Sequence, residues 1–460
     1  MTGHRIAVVT TEVIAPKMAG PAIRAWHMAR VLAGSGHDVE LLTTERCDRR
    51  SESFRCAHVS VAELDALGSR VDVAVVQGDV LRRSPKLRDS SCVLVVDLYD
   101  PFHLEALEFT RASAPDQRRA AIGVSLDVMN EQLRRGDFFL CASVRQRDFW
   151  LGQLAAVGRV NEITYESDPS MEHLLAVVPF GITEEPPRHT APALRGVVPG
   201  IDASDRVIFW GGGIYNWFDP LTLIGAVDRL RQRDARVKLV FGGVSHPNPT
   251  VANTLMSDRA RHLAHERGLV GAHVFFEQWI DYDERGSYLL EADVGVSAHA
   301  GHVETAYSFR TRILDYLWAG LPTVATEGDV LADLLVGAGA GVAVPPEDEA
   351  ALEEALYGVL FDDQRRAEMA AAARQLGHGY QWPLVLRPLV GFCADPVRSP
   401  DLLASSTRNA IGRGADLMPS VTRARLDRVV DLARRGAWQD LARLAAQMAR
   451  RRRNRTPEVG

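Results

Sequence analysis

The chain has 460 residues, 46% of them hydrophobic and 24% charged, and a formal net charge of −6. The length exceeds a single hydrophobic core and sets a prior of about two to four domains, while the composition excludes wholesale disorder. The acidic balance leaves no whole-molecule footprint for nucleic acid. The five cysteines (Cys47, Cys56, Cys92, Cys141 and Cys393) have neither the spacing of a disulfide framework nor that of a zinc site.

Met1–Arg5 runs directly into an apolar strand pattern, without the charged segment and long apolar stretch of a signal peptide. No run of about 18 apolar residues follows, and Leu334–Val344 is short and diluted by glycine. The expectation is a cytoplasmic protein that does not span a membrane. Arg5–Thr11 is a β-branched run, followed by a loop through Pro16, Gly20 and Pro21. Helical spacing of Ile23, Trp26, His27, Arg30 and Val31 predicts a helix over Ile23–Gly34, ended by Gly34-Ser35-Gly36. Further apolar runs lie at Val39–Thr43, Val71–Gln77, Cys92–Asp97 and Phe138–Ala142. Strands separated in this way by helical or loop segments imply a parallel sheet covered on both faces.

Arg188–Pro199 is Pro-rich and reads as a linker. The pattern then repeats. Strands are expected at Val207–Trp210, Val237–Gly242, Val274–Phe276, Val294–Ser297, Thr323–Ala325 and Gly341–Val344, with helices at Pro220–Arg233 and Ser308–Ala319. The fold class is therefore α/β, with two Rossmann-like doubly wound domains facing a cleft. Ligands belong at the carboxyl ends of the strands.

Phe209-Trp210-Gly211-Gly212-Gly213-Ile214 ends the first strand of the second lobe. Three glycines let backbone N–H groups approach an anion, and the helix after Pro220 would present its positive end to it. A plain strand-to-helix turn would also use glycine there. It is not a dinucleotide fingerprint, because Asn216 stands where the third glycine would fall. Ala298–Gly320 places Glu304, Arg310, Arg312 and Asp315 between a buried strand and a helix. Guanidiniums hold phosphate oxygens in a fork and carboxylates accept from sugar hydroxyls, so this set suits a sugar phosphate; the bland reading is a surface ion-pair ladder. Asp281-Tyr282-Asp283 offers an Asp-x-Asp, but Asp281 with Glu284 reads better as a capping box, with no metal site. Arg435–Arg455 carries Trp438, Leu441, Leu444 and Met448 on one helical face and ends in Arg450–Arg453. Peripheral contact with anionic lipid and a helix packed on the enzyme are both open readings of it.

The strings 210–230, 237–243, 274–297 and, most specifically, ETAYSFRTRILDYLWAGLPTVAT (304–326) resemble the retaining GT-B glycosyltransferases of family 4. In the first half, the Gly20 loop, GHDVELLT (36–43), a VDLYDP element (96–101) and VVPFGI (177–182) match the same pattern. The likeness covers residues 5–395 and is strongest to bacterial members acting on polysaccharides or related glycoconjugates. It implies an acceptor domain at 1–187, a nucleotide-sugar donor domain at 200–380 and a crossover segment at 381–400; residues 401–460, beyond the likeness, are read from their own pattern as a helical basic tail.

By the same resemblance, Gly211, Gly212, Gly213, Arg312, Asp315 and Trp279 bind the donor, Gly20 lies where acceptor and donor phosphate meet, and Glu304 and Arg310 are catalytic. Asp100 and His103 orient or polarise the acceptor hydroxyl, since each accepts a proton, and Asp97 is read as a turn former. The sequence departs from the family twice. Eight positions before Asp315 stands Tyr307 rather than an acid, Glu304 being eleven before, and Ile214–Asp219 contains no cation. The implied activity is retaining transfer of a sugar from a nucleoside diphosphate sugar to a glycan, glycolipid or small-molecule hydroxyl, with no metal and no cofactor besides that co-substrate. A catalytically silent nucleotide- or glycan-binding partner protein and a GT-B epimerase are the rival readings.

Overall fold

The computed structural model describes residues 3–248 and 254–404. The first sheet has seven strands: β1 (Arg5–Thr10), β2 (Asp38–Thr43), β3 (Arg55–His58), β4 (Val73–Val76), β5 (Val93–Asp97), β6 (Phe138–Cys141) and β7 (Leu175–Val177). They pair in parallel in the order β3-β2-β1-β4-β5-β6-β7. The second sheet has β8 (Arg206–Gly211), β9 (Val237–Gly242), β10 (Val274–Glu277), β11 (Val294–Ser297), β12 (Thr323–Thr326) and β13 (Gly341–Val344), in the order β10-β9-β8-β11-β12-β13. In each sheet the strand order reverses once, beside β1 and beside β8, and the crevice that opens there lies at the carboxyl ends of the strands.

The interior strands form because both of their faces are covered. β4 and β5 are buried at every position, which their nearly unbroken Val and Leu runs require. β3 was not expected from the sequence: as an edge strand reading Arg-Cys-Ala-His it has no apolar run and both its ends are exposed. The helix expected at Ser308–Ala319 begins later. A short helix, Val303–Tyr307, stops at Ser308, the chain runs extended through Arg310, and the second helix covers Thr311–Ala319. This break brings two arginine side chains to the same corner of the molecule.

Residues 183–205 contain no helix or strand but are docked on the second lobe. The Glu291 carboxylate accepts the backbone N–H groups of Ala193, Leu194 and Arg195 at 2.9, 2.7 and 2.8 Å, and the Leu194 side chain is fully buried. At the other end of the second lobe the chain returns. Trp382 is buried, stacked on His27 at 4.8 Å and packed on Phe180 at 4.9 Å. The incoming and outgoing segments touch, Ile182 N–H donating to the Tyr380 carbonyl (2.8 Å) and Trp382 N–H to the Ile182 carbonyl (3.0 Å). Leu389 and Cys393 then join the core beneath the first sheet.

Among the described residues no helix is long and apolar enough to cross a membrane. The basic stretch 435–455 lies outside the described residues.

Candidate active site

A cavity of about 370 Å³ lies between the two lobes at the carboxyl ends of both sheets. Of the positions expected from the sequence, it brings together Gly20, Asp100, Gly211, Gly212, Gly213, Trp279, Arg310, Arg312 and Asp315. Glu304 and His103 do not line it.

The second-lobe wall is built on β8. The β8 strand ends at Gly211, whose N–H is taken up by the Tyr316 hydroxyl at 2.9 Å. Gly212 has φ +79°, a left-handed conformation in which glycine carries no Cβ penalty. The turn aims the Gly213 carbonyl at Arg312, whose Nη2 donates to it at 2.9 Å. The Arg312 guanidinium lies 4.1 Å from the ring centres of both Trp210 and Phe218, held by cation–π contact. Arg312 is 8% exposed, and its Nη1 meets no hydrogen-bond partner among the described residues. Burial lowers its pKa to about 10. Arg312 thus supplies, from another helix, the positive charge that the segment after the glycine loop lacks.

Arg310 is arranged differently. Its Nη1 and Nη2 donate to the two carboxylate oxygens of Glu304 at 3.0 and 2.6 Å, and the residues are 5% and 1% exposed. Glu304 therefore does not reach toward a sugar as expected; it sits behind Arg310 and fixes the direction of its guanidinium. Arg310 is also the N-cap residue of helix Thr311–Ala319, and no side chain caps that end. The positive end of this helix opens on the cavity through Ser308, Phe309 and Thr311.

The helix after Pro220 does not serve an anion, contrary to expectation. The Asp219 carboxylate caps its first turn, accepting from Thr222 N at 3.0 Å and Thr222 Oγ1 at 2.5 Å, so the end of its dipole is already neutralised. Nor does a capping box form at Asp281. Glu284 occupies the N-cap of helix Arg285–Glu291 with no side-chain bond. Asp281 instead faces Lys17 at 4.0 Å and Asp283 pairs with Arg49 at 2.9 Å, both partners belonging to the first lobe.

Asp315 accepts from Arg285 Nε at 2.9 Å, and Arg285 is itself stacked on Tyr282 and Trp318. The Trp279 indole N–H donates across the cleft to the Met18 carbonyl at 3.1 Å, and its ring meets His246 edge-on. Gly20 opens the first-lobe helix Gly20–Gly34; a Cβ built there would meet nothing closer than Thr311 Oγ1, at 3.9 Å. The loop after β1 therefore lies directly against the uncapped helix end, with only the width of a methyl group between Gly20 and Thr311.

On the first-lobe wall, Asp100 lies beyond β5. Burial first, and then the Glu304 charge, raise its carboxyl to about 7. Two further acids had escaped the sequence reading. Glu12, just past β1, is raised to about 7 by burial and by Glu45 and Asp100, and Glu105 is pushed well above the carboxylate range by burial and by Asp100. Glu12 was within reach of the rule that ligands gather at strand carboxyl ends. Glu105, on a helix, carried no pattern of its own.

His103 is buried away from the cavity. Its ring stacks on Phe149 at 5.6 Å, its Nε2 lies 3.2 Å from Gln153 Nε2, and burial depresses its pKa to about 4. It is a neutral core histidine, not a group facing the acceptor. Asp97 is no turn former either. It accepts from Arg24 at 2.7 and 2.9 Å and from Gln77 at 2.9 Å, and Arg24 continues to the carbonyls of Val178 and Pro179.

Two parallel α/β lobes with a cleft at their strand ends define the GT-B fold, and solved structures of that class superpose on this chain. Sucrose-phosphate synthase from Thermosynechococcus elongatus does so with a TM-score of 0.61 and 15% identity, over 85% of this chain and 98% of that one. HepE of Anabaena, solved in complex with UDP and glucose, does so with a TM-score of 0.60 and 12% identity, over 86% and 100%. Residues 205–362, most of the second lobe, match the model of the family described as "Glycosyl transferases group 1". A phosphatidyl-myo-inositol mannosyltransferase of Mycolicibacterium smegmatis is 32% identical over 123 residues, which span 27% of this chain and 31% of that protein.

Proposed function

We propose that the chain transfers a glycosyl unit from a nucleoside diphosphate sugar to a hydroxyl acceptor (glycan, glycolipid or small molecule), with retention of anomeric configuration. The observation that carries this reading is the uncapped N-terminus of helix Thr311–Ala319 opening on the interlobe cavity beside Arg310 and Arg312. Two guanidiniums and a helix dipole converge there, an arrangement suited to a diphosphate. HepE, solved with UDP and glucose, has the same fold and supports the choice of donor.

In the proposed reaction the bond between the anomeric carbon and the diphosphate oxygen breaks. Negative charge develops on the leaving diphosphate, where Arg310, Arg312 and the helix N-terminus stabilise it. The acceptor hydroxyl oxygen bonds to the anomeric carbon and its proton passes to a phosphate oxygen. The protein supplies position and fixed charge rather than a covalent partner. With the leaving group neutralised by guanidiniums, the scheme calls on no resident metal and no cofactor beyond the co-substrate. Within it Trp279 and Asp315 hold the nucleoside end, and Gly20 keeps the passage between acceptor and diphosphate open. Contact of the basic stretch 435–455 with an anionic membrane surface belongs to the same proposal and would bring a lipid-linked acceptor to the cleft.

The test is a panel of UDP, GDP and dTDP sugars with mixed hydroxyl acceptors, followed by release of the nucleoside diphosphate and by NMR of the product anomer. Transfer with the donor's configuration preserved is expected. No turnover and no nucleoside diphosphate binding across the panel overturns the reading, and an inverted product overturns retention.

A further inference from the structure

The two walls of the cavity carry opposite charge. Among the described residues, the first-lobe wall contributes Glu12, Asp100 and Glu105 and no lysine, arginine or histidine, whereas the second-lobe wall contributes Arg285, Arg310, Arg312 and His246 against one acid, Asp315, which is paired with Arg285. The acids come from separate places, the end of β1, the end of β5 and the helix Phe102–Phe109, yet they converge on one space. All three line the same cavity, and beyond the effect of burial the Asp100 charge raises the carboxyls of both Glu105 and Glu12, with Glu45 also acting on Glu12.

The Arg310 charge acts on Asp100 and Glu105, but neither Arg310 nor Arg312 directs its hydrogen bonds to this wall. Arg310 is held by both oxygens of Glu304, and Arg312 is turned to the Gly213 carbonyl. The Arg312 Nη1, buried and without a partner among the described residues, gives the opposite wall its own demand, for an anion. The cavity is thus divided: one side calls for negative charge, the other for positive.

Resting on the transferase reading above, we propose that the acceptor is a polyhydroxylated amine, an amino sugar or amino polyol, whose ammonium group docks on Glu12, Asp100 and Glu105. An ammonium group donates three charge-assisted hydrogen bonds and lets the three carboxyls ionise together. An acceptor bearing phosphate or carboxylate would meet like charge on this wall, which discriminates against it.

Glucosamine, N-acetylglucosamine and glucose 6-phosphate are matched probes: one cation, one neutral, one anion. Each is titrated calorimetrically into the full chain, with and without the nucleoside diphosphate that binds best, and each is then offered as acceptor with the corresponding donor. Glucosamine is expected to bind and react at least about tenfold better than its N-acetyl form, and glucose 6-phosphate worst. Asp100→Asn and Glu105→Gln are expected to shrink the amine preference by about tenfold. Nucleoside diphosphate binding by the same variants reports whether they have folded. Equal binding of the amine and N-acetyl probes, or preference for the phosphate, overturns the proposal. Amine binding is read without turnover, so loss of the transferase reading registers separately, as absence of donor binding and transfer.

Discussion

The guanidinium of Arg312 donates to the Gly213 carbonyl at 2.9 Å while its other terminal nitrogen meets no acceptor among the described residues. Arg310, two residues earlier, has both terminal nitrogens held by the Glu304 carboxylate, leaving only its Nε without an acceptor among the described residues. The two arginines are therefore not equivalent: one is a buried cation without a carboxylate, the other is bidentate to one.

Replacing Arg312 by Met should separate stability from binding. A buried charge without a carboxylate contributes little to folding, so the variant is expected to melt no lower than the parent. Loss of a charged hydrogen-bond donor should weaken nucleoside diphosphate binding by about 2–3 kcal/mol. Calorimetric titration beside a thermal melt checks both; unchanged affinity would remove Arg312 from the diphosphate site.

Glu304→Gln leaves Arg310 buried without its counter-charge. Breaking such a pair costs about 3–5 kcal/mol, less whatever single hydrogen bond Gln retains. Added pyrophosphate should recover part of the lost melting temperature in this variant and do less for the parent. If pyrophosphate stabilises both equally, Glu304 does not hold Arg310 in check.

The Asp100 carboxyl is raised from 3.8 to about 7, by burial and then by Glu304, with Glu105, Arg310 and Asp97 also facing it. Between these values the folded protein binds more protons than the unfolded chain. The stability this group contributes is therefore full below about pH 4 and is lost as pH rises through 7. Melts of Asp100→Asn against the parent should show the variant gaining ground steadily from pH 4 to 7 and no further above. Glu12 titrates in the same window, so the parent slope should be reduced rather than abolished. A difference that does not vary with pH would contradict the shift.

His103 gives the opposite sign. Its pKa is depressed from 6.5 to about 4, so the unfolded chain binds the extra proton, and stability falls as pH drops from 6.5 toward 4. His103→Phe, filling the same stacked position beside Phe149, should flatten this acid slope and keep turnover within about threefold, far from the 10²–10⁴ cost of losing a general acid or base. A hundredfold loss of kcat would return His103 to the chemistry.

The interior strands were legible in the sequence because burial on both faces writes itself as unbroken Val, Ile and Leu. β3 was not, since an edge strand needs no such run, and the start of helix Thr311–Ala319 was misplaced because the extended turn at Ser308–Arg310 leaves helical spacing undisturbed. Gly211–Gly213, Arg310, Arg312 and Asp315 could be found from spacing and charge. That Glu304 serves Arg310, that Asp219 occupies the other helix end, and that His103 faces inward are facts of side-chain direction that no linear pattern carries.

The outgoing chain at Ile182 and the returning chain at Tyr380–Trp382 are hydrogen-bonded side by side, and the lobes also meet through Trp279 on the Met18 carbonyl, Asp283 on Arg49 and the Tyr282 hydroxyl on His27. Any widening of the space between the acidic and basic walls would have to break those bonds first, so in this structure the span a bound donor and acceptor must bridge is fixed by the first lobe's grip on Trp279, Tyr282 and Asp283.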